Sequence, residues 1–263
     1  MKFPKLFLSL ILGASFLCGC AKESAPSVEE TLPPIPETIV VTEVPTEIPT
    51  EGPTAPAHSE LYIPGLAVED VLMYFNEVCL GAEFINSGNP QLLQRWEEPI
   101  YYTIEGDPTP EDISQIEAFA QWLNTIEGFP GMAVSPEPWQ TNLNIYFCDQ
   151  EELIQRMGDN FWGTDGAVTF WYQNDQIFDA IICIRTDLNQ TVRNSVILEE
   201  IYNGLGPIQD TALRPDSIIW CDYSEPQALT PVDELLLRLL YHPDLACGMD
   251  APACEEAIAM LYY

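Results

Sequence analysis

The chain is poor in histidine and in basic residues. It contains only His58 and His242, and nine Lys and Arg residues face 41 Asp and Glu residues, which gives a formal net charge of −32 at pH 7. Two histidines exclude any site built from three imidazoles. The excess of negative charge repels a nucleic-acid backbone, so we expect no nucleic acid among the partners.

Several short catalytic and binding motifs are also missing. The chain has no C-x-x-C pair, no G-x-S-x-G and no glycine-rich phosphate loop. These absences exclude a zinc ribbon, a serine nucleophile of the α/β-hydrolase type and a P-loop nucleotide site. Hydrophobic residues nevertheless make up 47% of the chain and aromatic residues 11%, which excludes a wholly disordered protein.

Residues 1–19 are typical of an export signal. Lys2 and Lys5 precede an apolar run over residues 6–17, which is too short to span a membrane comfortably. The ending Leu-Cys-Gly-Cys at residues 17–20 resembles a bacterial lipobox. That resemblance implies cleavage before Cys20 and a diacylglycerol lipid on its thiol, whereas the alternative is an ordinary signal peptide with an incidental cysteine. We expect an exported chain that this lipid anchors to the outer face of the bacterial cell membrane.

Residues 20–59 comprise the lipidated cysteine and a linker. Proline, threonine and glutamate dominate this stretch, with prolines at Pro26, Pro33, Pro34, Pro36, Pro45, Pro49, Pro53 and Pro56. Such a composition cannot bury a core and favours extended conformations. At about 3.1 Å per residue the linker reaches up to about 120 Å from its anchor.

Residues 60–263 have the composition of one globular domain. Helical periodicity appears over 67–84, 110–128, 151–157, 190–205, 230–241 and 252–263. Strand patterns cover 99–105 and 142–148, and a hairpin joins 167–172 to 177–185 across Asn174-Asp175. This order predicts an α+β fold with a small mixed sheet and a helical C-terminal part.

The six cysteines of the domain are an even number, which in an exported protein indicates disulfides. Cys247 and Cys254 are the favoured pair, because Gly248 and Pro252 allow a turn between them. The other four are equally compatible with small buried apolar residues.

The helix over residues 190–205 is apolar around most of its circumference and is therefore predicted to be central. Glu199, Glu200 and Asn203 share one face of it. Three interpretations remain open: a buried hydrogen-bond network with Arg193 or the backbone, a binding cleft, and a catalytic site.

The stretch Glu199-Glu200-x-x-Asn203-x-x-Gly206-x-x-Gln209 resembles the zinc-peptidase helix motif H-E-x-x-H-x-x-G-x-x-H. The strand–helix–strand–hairpin–helix order is also similar to that of zincin catalytic domains. More broadly, residues 95–249 resemble the bacterial domain-of-unknown-function 2927 family, through RWEEPIYYTIEG, NLNIYF, LEEIYNGLGPIQD, DSII and LTPVDELLLRLLYHPDLACGM. The resemblance implies a zincin-like fold with a central helix of the active-site type, and no established activity.

The departures from the peptidase motif concern its metal ligands. Glu199, Asn203 and Gln209 occupy the three histidine positions, and Glu200 occupies that of the catalytic glutamate. Zinc prefers nitrogen and sulfur ligands, so we expect no zinc and no required cofactor. Calcium remains an alternative, since Asp210 adds another oxygen, but calcium requires about six to eight of them.

The sequence therefore predicts a non-catalytic binding or scaffolding domain whose partner is an envelope protein or glycan. Asn203, Gln209 and Asp210 are its candidate binding residues. The alternative is an envelope hydrolase of peptide or glycan that uses Glu199 and Glu200 as catalytic residues, with an oxygen-ligated ion or none.

The lipid anchor is directly testable in cells. We expect Cys20→Ala to abolish incorporation of a labelled fatty acid, because the acceptor thiol is lost. Cys18→Ala is the matched control, since Cys18 leaves with the signal, and it should retain the label. Unchanged labelling of Cys20→Ala would refute the lipidation site.

Overall fold

The computed structural model describes residues 59–81, 91–222 and 224–263. The predicted signal, the lipidation site Cys20 and the linker up to residue 58 lie outside these described residues. Within them, no helix has both the length and the apolar character needed to cross a bilayer.

The described residues form an α+β fold, as predicted. Six α-helices occur in chain order: α1 Val68–Leu80, α2 Pro110–Leu123, α3 Gln150–Met157, α4 Gln190–Gly204, α5 Pro231–Leu240 and α6 Ala251–Tyr262. Six strands accompany them: β1 Arg95–Trp96, β2 Ile100–Gly106, β3 Met132–Val134, β4 Leu143–Cys148, β5 Gly166–Gln173 and β6 Gln176–Arg185. Single 3₁₀ turns cover Pro138–Gln140 and Asp159–Phe161.

The strands form one mixed sheet. β3, β2, β4 and β6 lie side by side and parallel, and the short β1 pairs in parallel with the first residues of β6. β5 runs antiparallel along the other edge of β6. Among the described strands, β5 pairs with β6 alone, so its outer edge carries unpaired backbone groups.

The β5–β6 hairpin confirms the predicted turn at Asn174-Asp175. Both residues have positive φ angles, 52° and 62°, as a two-residue turn of type I′ requires. The register shifts between Trp171 and Tyr172, and beyond this irregularity Gly166 lies opposite Ile184 at the far end of the hairpin. The start of β5 therefore lies beside the carboxyl end of the parallel strands.

Helix α4 is central, as its apolar circumference predicts. Ile197, Ile201 and Tyr202 are fully or almost fully buried, and the helix packs on β5 and β6. The indole Nε1 of Trp96 donates to the carbonyl of Gly204 at 2.9 Å, which ties the end of α4 to β1. The side chains on the buried faces of this helix are consequently held by tertiary packing.

Buried Asp233 fixes the segment that follows α4 to the rest of the core. It closes a capping box with Thr230 at the start of α5. Its Oδ1 also accepts from Ser217 Oγ at 2.7 Å and from Tyr74 OH at 3.0 Å. One carboxylate thereby joins α1, the loop before α5 and α5 itself.

The structure does not contain the predicted Cys247–Cys254 disulfide, since both cysteines are free thiols. Cys254 lies one turn into α6, whose first turn is capped by Asp250, and it is completely buried. Cys247 instead directs its sulfur towards Glu97, with Sγ and Oε1 3.4 Å apart. The early start of α6 turns the two sulfurs towards different neighbours.

The helix predicted over 110–128 ends earlier, at Leu123. The side chain of Asn124 there both donates to the carbonyl of Met132 and accepts from its N–H, at 2.9 and 2.7 Å. The chain turns at this residue and adds the short strand β3, which the sequence pattern does not predict.

Candidate functional site

Four carboxyl groups gather at the carboxyl end of the parallel strands. Glu199 and Glu200 come from α4, Asp165 immediately precedes β5, and Asp210 follows α4. Each of the two glutamates lies within electrostatic range of Asp210, and Glu199 also of Asp165. We call Glu199, Glu200, Asp210 and Asp165 the carboxylate site.

A glycine turn after α4 brings Asp210 into this site. Gly206 has a φ of 130°, and a Cβ on it would lie 2.6 Å from the carbonyl oxygen of Gln94. No other residue fits there without moving backbone. The chain then passes Asn203, whose Nδ2 donates to Asp210 Oδ1 at a long 3.4 Å.

Glu200 is packed tightly and lacks a hydrogen-bond donor. It is 8% exposed, and its side chain lies against Gly166, where an added Cβ would be 2.7 Å from Oε1. Glycine at the start of β5 is therefore required to make room for the carboxyl group. Among the described residues, no group donates a hydrogen bond to Glu200 or forms an ion pair with it.

Arg193 does not supply the expected partner for Glu200. Its Nε donates to Asp112 Oδ1 at 3.0 Å, and a second guanidinium nitrogen donates to the carbonyl of Thr186 at 2.9 Å. Asp112 is completely buried at the start of α2 and accepts this guanidinium from the first turns of α4. The hypothesis of a buried network with Arg193 therefore fails for Arg193 itself.

Burial raises the pKa of both glutamates. The pKa of Glu199 rises from 4.5 to about 8, first through desolvation and then through the negative charges of Asp210 and Asp165. The pKa of Glu200 rises well above its ordinary value through desolvation, Glu199 and Asp210. Burial and the neighbouring negative charges therefore both favour the protonated forms of these two groups.

Gln209 does not join the carboxylate site through its side chain in any described contact. Its backbone N–H donates to the carbonyl of Val78, and its side chain packs against Gly81 at the end of α1. The buried Oε1 has no hydrogen-bond partner there. Of the two candidates after Gly206, the structure brings Asp210 and not Gln209 to the glutamates.

The site is rich in acceptors and is not arranged as a metal centre. Asn203 Oδ1 is a buried oxygen without a hydrogen-bond partner. Within the described ranges, no three His, Cys, Asp or Glu side chains converge closely enough to hold a metal ion. What the geometry offers is a set of separated oxygens, of which those of Glu200 and the Oδ1 of Asn203 receive no hydrogen bond from the described residues.

Asp165 and Gly166 are the members of this region that the sequence pattern does not single out. They stand in Gly163-Thr164-Asp165-Gly166, which is adequately explained as a turn before a strand. The signal that distinguishes Gly166 is its contact with Glu200, and 34 residues separate the two in the chain. Only the register of β5 on β6 brings them together.

Comparison with protein families identifies a family that covers most of the chain. A family model described as protein of unknown function (DUF2927) matches residues 69–260, a range that includes the whole sheet and all four residues of the carboxylate site. No curated protein matches the chain.

The raised pKa of Glu199 predicts the pH dependence of stability. The pKa of Glu199 is about 8 in the folded chain and 4.5 ordinarily. The contribution of Glu199 to the free energy of unfolding is therefore most favourable below about pH 4.5, where the group is protonated in both states. It is lost as the pH rises to about 8, with a slope of at most about 1.4 kcal/mol per pH unit. We expect the free energy of unfolding of Glu199→Gln, measured in urea, to exceed that of the wild type by about 1 kcal/mol or more at pH 8. At pH 4 the two free energies should be equal.

Glu98→Gln is the matched control, because Glu98 is exposed near the opposite end of β6. It should leave the unfolding free energy unchanged at both pH values. A loss of stability in Glu199→Gln at pH 8 would instead show that the carboxylate is paired in a network.

Proposed function

The chain belongs to the DUF2927 family, and from the geometry of the carboxylate site we propose that its domain is a non-catalytic recognition domain. The observation that carries this proposal is the burial of Glu200 against Gly166 without a donor. An unpaired acidic group in such a place is costly to the fold. A bound partner that supplies donors and positive charge would offset that cost.

Catalysis is disfavoured by the state of the same groups. A general base for hydrolysis must be deprotonated at the working pH, whereas burial raises the pKa of Glu200 well above its ordinary value. No described imidazole or thiolate trio stands nearby to hold a metal that would activate water. The site is therefore better suited to binding than to proton abstraction.

We also propose that the fold is zincin-like. The secondary-structure elements follow the order found in zincin catalytic domains: β2, α2, β4, the β5–β6 hairpin and α4. The glutamates stand on α4, beside an antiparallel edge strand. On this proposal the domain retains the peptidase scaffold while oxygen-bearing side chains replace the imidazoles.

The charge of the carboxylate site favours a polypeptide as the partner. Glu199 faces Asp210 and Asp165, and no described basic side chain pairs with Glu199 or Glu200. A polypeptide segment with a basic side chain supplies both positive charge and N–H donors, whereas a neutral glycan supplies no positive charge.

The proposed location is the outer face of the cell membrane. The export signal, the lipid on Cys20 and the proline-rich linker support it from the sequence. A tether of this kind would let the domain meet partners in the surrounding envelope.

An envelope hydrolase remains the second candidate, and one observation favours it. Glu199, with a pKa of about 8, is a group that can donate a proton near neutral pH. A hydrolase would have to combine this acid with a water that another group activates.

A library of unstructured synthetic peptides separates the two functions. We expect the full mature chain to retain a subset of these peptides without cleaving them. The double variant Glu199→Gln/Glu200→Gln should lose that binding, because its two central groups can no longer become anionic, and Glu98→Gln should keep it.

Mass spectrometry of the same mixtures, with zinc, calcium or chelator, checks for new peptide termini. Cleavage products that depend on Glu199 and Glu200 would overturn the non-catalytic function. Equal retention by the double variant would show that binding occurs elsewhere, and retention of no peptide would overturn polypeptide recognition.

A further inference from the structure

We propose that the group bound at the carboxylate site is a guanidinium, the side chain of an arginine in a partner polypeptide. This inference rests on the proposed recognition function and names its ligand. It follows from the supply of hydrogen-bond acceptors, from the balance of charge around α4 and from the spacing of the oxygens.

The site has unsatisfied acceptors but few donors. Glu200 is more than nine-tenths buried and receives no hydrogen bond from any described residue. The buried Oδ1 of Asn203, one turn further along α4, also lacks a donor. The amide nitrogen of Asn203 is already directed to Asp210. A ligand that completes the site must therefore bring several N–H groups.

The charge around the glutamates is almost entirely negative. Glu199 faces Asp210 and Asp165, and Glu200 faces Glu199 and Asp210. From β6, the neutral thiol of Cys183 lies near Glu200. A bound cation would relieve this mutual repulsion.

The nearby arginines pair with aspartates and not with the two glutamates. Arg185, at the end of β6, contacts Asp187 at 2.6 Å and Asp165, a member of the carboxylate site, at 3.3 Å. Arg193 is held by Asp112. No described basic residue is thus placed to neutralise Glu199 and Glu200.

The spacing of the oxygens favours an extended cation over a metal ion. In the described residues the carboxyl groups do not converge to a single coordination sphere. They come from two adjacent positions on α4 and from the segments before β5 and after α4. A guanidinium spreads five N–H donors over a planar fork, which suits separated acceptors better than the point charge of an ammonium.

Binding should be coupled to release of protons. The cation stabilises the deprotonated glutamates, so its affinity rises with pH until they have titrated. For a pKa of about 8 at Glu199, the deprotonated fraction grows about tenfold between pH 7 and pH 9. Asp165, Asp210 and Cys183 are the other titratable groups that face this pair, and Arg185 faces Asp165.

Nα-acetyl-arginine amide tests the proposal, with Nα-acetyl-citrulline amide as its neutral isostere. In NMR titrations of the full mature chain, we expect the arginine derivative to shift resonances around Glu199 and Gly166. Its affinity should rise about tenfold from pH 7 to pH 9, and the citrulline derivative should not bind. Glu199→Gln/Glu200→Gln should lose this binding, whereas Glu98→Gln should keep it.

Each of the following outcomes contradicts the guanidinium proposal. It would be overturned by equal binding of the citrulline and arginine derivatives or by an affinity that does not depend on pH. Nα-acetyl-lysine amide serves as a second cation, and its tighter binding would also overturn the proposal. Stoichiometric calcium binding that displaces the arginine derivative would identify a metal site instead. If the peptide library is retained regardless of arginine content, recognition stands and the guanidinium assignment alone fails.

Discussion

The contact between Glu200 and Gly166 determines the chemistry of the whole site. A carboxyl group on a central helix is held against the first residue of an edge strand, with room for it only because that residue has no side chain. Glu200 is 8% exposed, with the negative groups of Glu199 and Asp210 beside it. Desolvation and the neighbouring charges raise the pKa of both glutamates, and the proposed preference for a cation follows from the same surroundings.

The arrangement separates structural acids from acids that are available for binding. Asp112 and Asp233 are completely buried, yet each accepts several hydrogen bonds that join helices and loops. Glu200 is almost as buried and accepts none from the described residues. Since buried acidic groups are normally satisfied, Glu200 is the group on which the proposed recognition function rests.

Local patterns in the sequence predict most of the fold. Helical periodicity and the Asn174-Asp175 turn act over a few residues, and the structure confirms the helices and the hairpin that they predict. Strand β3 was missed because three residues carry no period. Its position depends on Asn124, whose side chain bonds to a residue eight positions later.

The candidate site was predictable only in part. The shared face of Glu199, Glu200 and Asn203 follows from helical spacing, whereas the pairing of Arg193 with Asp112 depends on how α2 packs against α4. The spacing of residues after Gly206 could not show whether Gln209 or Asp210 lies near the glutamates, because the direction of the turn decides this. The absence of the Cys247–Cys254 disulfide likewise depends on the register of α6.

A direct test of the account is the titration of the Glu199 and Glu200 side-chain carboxyl carbons by NMR. The account predicts a midpoint near pH 8 for Glu199 and a midpoint well above the ordinary 4.5 for Glu200. Two midpoints close to 4.5 would mean that both carboxylates are already solvated or paired. The carboxylate site would then have no unmet need for a cation.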